Sequence, residues 1–394
     1  MFGAIYVGLS GLTAYSRGLQ QVSNNVTNLN SLGFKAATVS FNDLVTARGK
    51  GGMTHADQGA SSGSGVGVGD ARRDFRQGDL RQTDRDLDLA VNGSGFLVLL
   101  KGDETLYSRT GSFEVDRDGF IVLAGTDYRL ATLGEDGRAV SLSVDLSRTS
   151  APQQTSRIKF ADNLSSTASE SYRLSDVRIY DDNGGEHLWQ IEFAKDTQGD
   201  PGDWKVTVKD NKGATIGSQT LKFRQGLVDA STRELVFEDE DSDLSVTFDF
   251  TQNVTSFSSG EVSTLRTASV DGYKTGTITT VQVNAEGQLE IAYSNEQKEQ
   301  LGAVAVADFR DPQALEQRSG GLLAEEGDGG RVLRASGEVG AGRIVSRRLE
   351  ASNVDLAQQF GDLILIQRGF QASSQIISVS NDMIQQLFGI RGQG

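Results

Sequence analysis

Two stretches of helical period, one at each end of the chain, bracket a long middle written in strands and turns. Any fold for this chain has to seat a helix at both termini. Near the N-terminus, Ile5, Leu12, Leu19 and Val26 recur every seven residues, and Tyr15, Val22 and Leu29 fall three places after members of that series. Near the C-terminus, Leu356, Leu363, Phe370, Ile377 and Ile384 form a second seven-residue series, flanked by Phe360, Ile366, Leu387 and Phe388. Both are a/d-like stripes of the kind that pack helix on helix. Asn353 or Ser352 is placed to cap the second helix.

The polar faces of these helices are unusual. From Met1 to Phe34 the single charged side chain is Arg17, and the other polar residues are Ser, Thr, Asn and Gln. A solvated coiled-coil helix carries Glu and Lys beside its seam. Gly3, Gly8, Gly11 and Gly18 each weaken an isolated helix by up to about 1 kcal/mol. Such a helix needs packing on more than one face to persist. An intrachain two-helix hairpin would supply one face. Packing against neighbouring copies of the chain is the reading we favour.

Residues 47–69 are too rich in glycine to hold a helix and read as an extended connector or a loose β-hairpin. From about residue 70 a strand pattern takes over: Phe96–Leu100, Thr105–Tyr107 and Phe120–Leu123, separated by Gly102-Asp103 and Asp118-Gly119. A second β region covers roughly 152–267, with Val177–Tyr180 and Leu188–Phe193 joined by a glycine-bearing turn. After it the earlier pattern resumes. The expected organisation is a terminal helical assembly domain (1–30 and 353–394), a Gly-rich connector (31–70), a discontinuous β domain (71–151 and 268–352) and an inserted outer β domain (152–267). The expected fold class is mixed, with terminal α-helices forming a coiled-coil-like inner layer. Two mainly antiparallel β domains accompany it, the second inserted in the first.

Composition narrows the function. The chain has 394 residues, no Cys and a formal net charge of -15. An acidic surface repels nucleic acid and anionic membrane, so neither is an expected partner. The missing thiols exclude disulfides, thiolate nucleophiles and Cys metal sites. No apolar run approaches the roughly 20 residues of a membrane span. The first basic side chain is Arg17, so the N-terminus is a poor secretory leader, and any export would use a route without a cleaved one. Gly63–Gly69 does not match G-x-G-x-x-G, because its final position falls on Val68, and Lys50 lacks the P-loop spacing. His55 and His187 have no motif-placed nucleophile, and the acidic run 238–243 lacks the Gly and terminal Glu of an EF-hand loop. No catalytic residue, cofactor or metal is expected.

Ser10-Gly11-Leu12, Asn24-Asn25-Val26-Thr27-Asn28 and Ser31-Leu32-Gly33-Phe34-Lys35 resemble the N-terminal signature of bacterial flagellar rod and hook proteins. Leu349-Glu350-Ala351-Ser352-Asn353-Val354-Asp355-Leu356 and Gln367-Arg368-Gly369-Phe370-Gln371-Ala372 resemble its C-terminal counterpart. Asp88–Phe96 and Tyr107–Phe113 resemble the family's shared β-domain motif. On this resemblance Asn24, Asn25, Asn28, Gly33, Phe34, Asn353, Asp355, Gln367 and Arg368 are family-motif positions. The length and the extra β domain point to the hook-forming members, with a distal-rod-like subunit as the alternative. The resemblance implies a curved helical homopolymer that carries torque outside the cell. It also implies export through the flagellar type III apparatus, and contacts with a distal rod protein, a hook-capping protein and a hook–filament junction protein.

Overall fold

The computed structural model describes residues 2–45, 63–197, 200, 202–240, 242–327 and 330–391. The chain folds as two compact units. Unit 1 comprises Met1–Asp145, Val281–Glu290 and Gln300–Gly394, and unit 2 comprises Leu146–Thr280 and Ile291–Glu299. The stretch 152–267 read from sequence as an insertion therefore lies within unit 2, which extends beyond it on both sides.

In unit 1 the helices are α1 (Phe2–Thr27) and α2 (Leu356–Arg391). The strands β1 (Ala37–Val45) and β2 (Gly63–Arg73) pair antiparallel, Val39 opposite Ala71 and Asp43 opposite Val66. The Gly-rich connector is thus partly a two-stranded ribbon, and its middle, 46–62, lies outside the described residues. The ribbon rests on α1. The Val66 amide donates to the Ser10 hydroxyl at 3.1 Å, and a Cβ on Gly65 would strike that hydroxyl.

Most of the remaining strands of unit 1 form a twelve-stranded, antiparallel sheet, and Leu80–Gln82 pairs separately with Arg348–Glu350. The middle of the large sheet runs Glu104–Ser108, Phe96–Lys101, Arg129–Leu133, Ile121–Leu123, Thr110–Val115, Asp88–Asn92 and Arg343–Ser346 in spatial order. Strands from both sides of unit 2's sequence meet in it: Val306 pairs with Leu97 and Ile344 with Val91. Tyr107 and Phe96 each meet Phe309 edge to face, at 4.8 and 5.8 Å between ring centres. Such pairs add to the burial of the rings themselves.

Unit 2 has a seven-stranded sheet and a four-stranded sheet sharing one core. Trp204-Lys205-Val206-Thr207-Val208 alternates sides, so Trp204, Val206 and Val208 are buried while Lys205 is exposed. Phe160 stacks on Phe250 at 4.7 Å, and Trp189, Phe193, Phe237 and Phe248 close the same core. Among the described strands, Arg157–Asn163 runs parallel to its neighbours Leu244–Asp249 and Val254–Thr255 and antiparallel to Arg266–Val270. The turn after Tyr180 is held by Asp181, whose Oδ1 accepts from the amides of Asn183 and Gly185 at 2.9 and 2.8 Å.

Candidate functional site

α1 and α2 pack on each other within one chain, and the contact is built from small residues. On α1 the buried positions are Gly8, Gly11, Ala14, Gly18, Val22 and Asn25. On α2 they are Gln359, Ile366, Ser373 and Ser380, seven residues apart. A Cβ at Gly8 would lie 2.8 Å from Ile377, one at Gly11 2.6 Å from the Ser373 hydroxyl, and one at Gly18 3.2 Å from Ile366. A Cβ at Gly369 would enter the Tyr15 ring. The glycines that weaken each helix in isolation are what let the two backbones approach. At the closed end, the buried Asn25 amide donates to Gln359 Oε1 at 2.9 Å and to the Ala37 carbonyl at 2.8 Å. It also accepts from the Ala37 amide. One side chain thus joins both helices to the start of β1.

This changes the seam expected from sequence. The stripe Ile5, Leu12, Leu19 and Val26 borders the intrachain contact: Ile5, Leu12 and Val26 are half-buried and Leu19 is exposed. On α2, Leu363, Ile377 and Ile384 are half-buried, whereas Leu356 and Phe370 are exposed. The contact is set by the closest backbone approach, which small residues allow, and the larger side chains splay to its flanks. Further apolar side chains stay uncovered: Tyr6 and Leu9 on α1, and Leu365, Ile376, Val379 and Met383 on α2. Leu365, Ala372 and Val379 are again seven apart, and Ile376 and Met383, also seven apart, lie beside that row. They form a second stripe roughly a quarter-turn round α2 from the packed one.

Where the helices join the β sheet, the sequence motifs converge on a buried ionic knot. Gly33, at φ +65°, turns the chain after α1 and donates its amide to the Glu350 carbonyl at 2.8 Å. The turn delivers Phe34 into a small core with Leu29, Ala36 and Val354. It also directs Lys35 inward, where its Nζ reaches Glu350 Oε1 at 2.6 Å and the Arg76 carbonyl at 2.7 Å. The other Glu350 oxygen accepts from Arg109 Nε at 3.1 Å, and the Gly78 amide donates to Oε1 at 2.8 Å. Arg109 also donates from Nη1 to the Gly95 carbonyl and from Nη2 to the carbonyls of Val91 and Gly93. Lys35, Arg109 and Glu350 are all buried. Burial pushes the Lys35 ammonium pKa down, and Glu350 opposes that shift. A carboxylate with two cations and an amide is the arrangement under which a buried charge is tolerated.

The remaining motif residues sort as follows. Asn353 Oδ1 accepts from the Ala36 amide at 2.8 Å, and its Nδ2 donates to the carbonyls of Asp74 and Arg76. Neither Asn353 nor Ser352 caps α2, contrary to expectation. Asp355 does, its Oδ1 accepting from the amides of Ala357 and Gln358 at 2.8 and 3.2 Å, because α2 begins later, at Leu356. Asn28 donates to the Asn24 carbonyl and side chain at the end of α1 and accepts from the Ser31 hydroxyl. Gln367 and Arg368 are exposed and outside the knot. Sequence reading missed Lys35, Arg109 and Glu350 as one site, although each lies in a motif stretch. A charged residue inside an apolar motif was the available signal.

Three family models match. One described as flagellar hook protein FlgE/F/G D1 domain matches residues 90–163. One described as flagellar basal body protein FlaE D2 domain matches 146–302, and one described as flagellar basal body rod FlgEFG protein C-terminal matches 345–390. The chain is 25% identical to the flagellar hook protein FlgE of Treponema pallidum, over 99% of this chain and all of that one. It is 27% identical to that of Borreliella burgdorferi, with the same coverage, and 28% identical to that of Brucella suis, over 99% of each chain. The crystal structure of Helicobacter pylori flagellar hook protein FlgE2 aligns with 69% of this chain and all of that one, at a TM-score of 0.48 and 14% identity.

Proposed function

We propose that this chain belongs to the flagellar hook protein family and that it assembles as a subunit of that kind. It is a structural subunit of the external hook; relatives named as hook proteins match it end to end, so the distal-rod alternative is not favoured. Copies polymerise through the terminal helices. Each chain closes its own two-helix pair along the glycine–serine seam. The flanks left uncovered, Leu365, Ile376, Val379 and Met383 on α2 with Tyr6, Leu9 and Leu19 on α1, pack against helices of neighbouring copies to form the inner layer of a tube. The observation that carries this is the second apolar stripe of α2, which the chain's own fold leaves in water. A side chain of that size contributes about 1.5–3 kcal/mol on burial, so a helix displaying a row of them gains by association.

The knot at Glu350 supports the mechanical side of the proposal. It ties both helix roots into the β sheet with charged hydrogen bonds, so force on the helices reaches the sheet through buried contacts. The curved, torque-carrying tube, export through the type III apparatus, and meetings with rod, cap and junction proteins belong to the same reading. Electron microscopy of the purified, polymerised chain tests it. Curved tubes are expected; straight tubes would return the rod reading, and a chain that stays monomeric would defeat both.

A further inference from the structure

Three segments of unit 2 lie together and are almost free of charge: 163–169, 225–228 and 251–265. Glu261 is their single charged side chain, in a chain of which 23% is charged. Charge resumes directly outside, in the pairs Arg266–Asp162 at 2.8 Å and Arg224–Asp203 at 2.7 Å. Within this area three large apolar side chains stand in solvent: Leu227 is 58% exposed, Phe257 52% and Val262 65%.

Their exposure is built in. The Asn163 amide donates to the Phe257 carbonyl and the Ser259 hydroxyl, both at 3.1 Å, and its oxygen accepts from the Phe257 amide at 2.8 Å. The Ser259 hydroxyl donates to the Val262 carbonyl at 2.8 Å. Buried Ser165 accepts from the Ser259 amide at its hydroxyl, and its own amide donates to the Ser263 hydroxyl at 2.9 Å. Glu261 accepts from the amide and hydroxyl of Ser169 at 2.7 and 2.9 Å. The Phe257 ring lies over Gly226, where a Cβ would strike it, and Leu227 pairs with Thr255 on the adjoining strand. Turning Phe257 or Val262 inward would break this network. A pinned loop that displays an aromatic and two aliphatic side chains, depleted of charge and ringed by ion pairs, has the make-up of an interface core with a polar rim.

We propose that this patch is where unit 2 touches another copy of the same chain in the polymer. The occupant follows from charge. Each copy carries a net -15, so two copies repel wherever ordinary surface meets. A patch with almost no charge is where identical acidic subunits can touch without that penalty. The proposal rests on the polymer reading above.

Because the chain has no Cys, a single introduced thiol reports on one place. Val262→Cys and Leu227→Cys full-length chains should each react with a soluble maleimide about tenfold more slowly in the tube than in the dissociated monomer. The double variant Phe257→Ser/Val262→Ser should leave the monomer's melting unchanged, since both side chains are solvent-exposed there, and its tubes should dissociate at a lower denaturant concentration. A wild-type chain that forms no tubes would remove the reading beneath the proposal. Tubes that form normally, label as fast as monomer and dissociate at the wild-type midpoint would overturn the patch alone. That outcome would leave it facing a different protein or solvent.

Discussion

At the scale of single residues, Glu350 carries the most. Removing its carboxylate leaves Lys35 and Arg109 buried side by side without a counter-charge. Breaking a buried pair in this way costs about 3–5 kcal/mol, whereas replacing both charges by apolar groups of similar size is often neutral. Glu350→Ala should therefore lower unit 1's unfolding free energy by that amount in urea, and Lys35→Met/Glu350→Leu, which orphans Arg109 alone instead of both cations, should cost less than Glu350→Ala. Equal losses would mean that charge pairing is not what holds the knot. In unit 2, Glu192 binds Arg173, Lys209 and Ser171, which hold its carboxyl pKa down at about 2 against an ordinary value of 4.5. The native state thus binds its proton less readily than the unfolded state. The resulting stability is fully present above pH 4.5 and is lost as pH falls toward 2. Acid titration of Glu192→Gln should show a shallower fall in melting temperature over that window than the parent chain. What sequence hides at this scale is partnership: Lys35, Arg109 and Glu350 are far apart along the chain, and only the fold brings them together.

At the scale of elements, the terminal helices were legible because a seven-residue apolar period survives any detail of packing. Which stripe touches which partner was not. The apolar period marks the flanks, while Gly8, Gly11, Gly18 and Gly369 make the intrachain contact, and a glycine leaves no hydrophobic signal. The hairpin of Val177–Tyr180 with Glu186–Lys195 was also legible, since alternation and turn chemistry are both local. The start of α2 was misjudged because Asn353 caps nothing and instead bonds to residues near 36 and 74–76, distant in sequence. Two glycines of α2 give a matched test. Gly361 is open on the side where a Cβ would stand, while Gly369 faces the Tyr15 ring. Gly361→Ala should stabilise the helix by up to about 1 kcal/mol. Gly369→Ala gains the same propensity but forces Tyr15 aside, and should lower the thermal midpoint of the helical circular-dichroism signal. If both variants shift it upward alike, the close seam is not as described.

At the scale of the molecule, unit 2 starts before and ends after the 152–267 stretch marked out by the β pattern, because strand periodicity continues across those limits. Within unit 2 the backbones of Gln153 and Tyr273 exchange hydrogen bonds at 2.9 and 3.0 Å, so the ends of the intervening segment are adjacent. Replacing 154–272 by a short glycine turn should leave unit 1 folded and able to polymerise, with altered curvature by electron microscopy. Loss of unit 1's cooperative unfolding would show that the two units are not separable. The central claim is that the uncovered stripe of α2 joins one copy to the next. Leu365 and Val379 are 68% and 52% exposed in the single chain, so a carboxylate at either place costs the monomer little. In a helix seam between copies the same carboxylate would be buried and unpaired. The direct measurement is polymer formation by sedimentation and electron microscopy for Leu365→Asp and Val379→Asp, alongside monomer melting. The account predicts wild-type melting and no tubes; curved tubes of normal yield from both variants would contradict it.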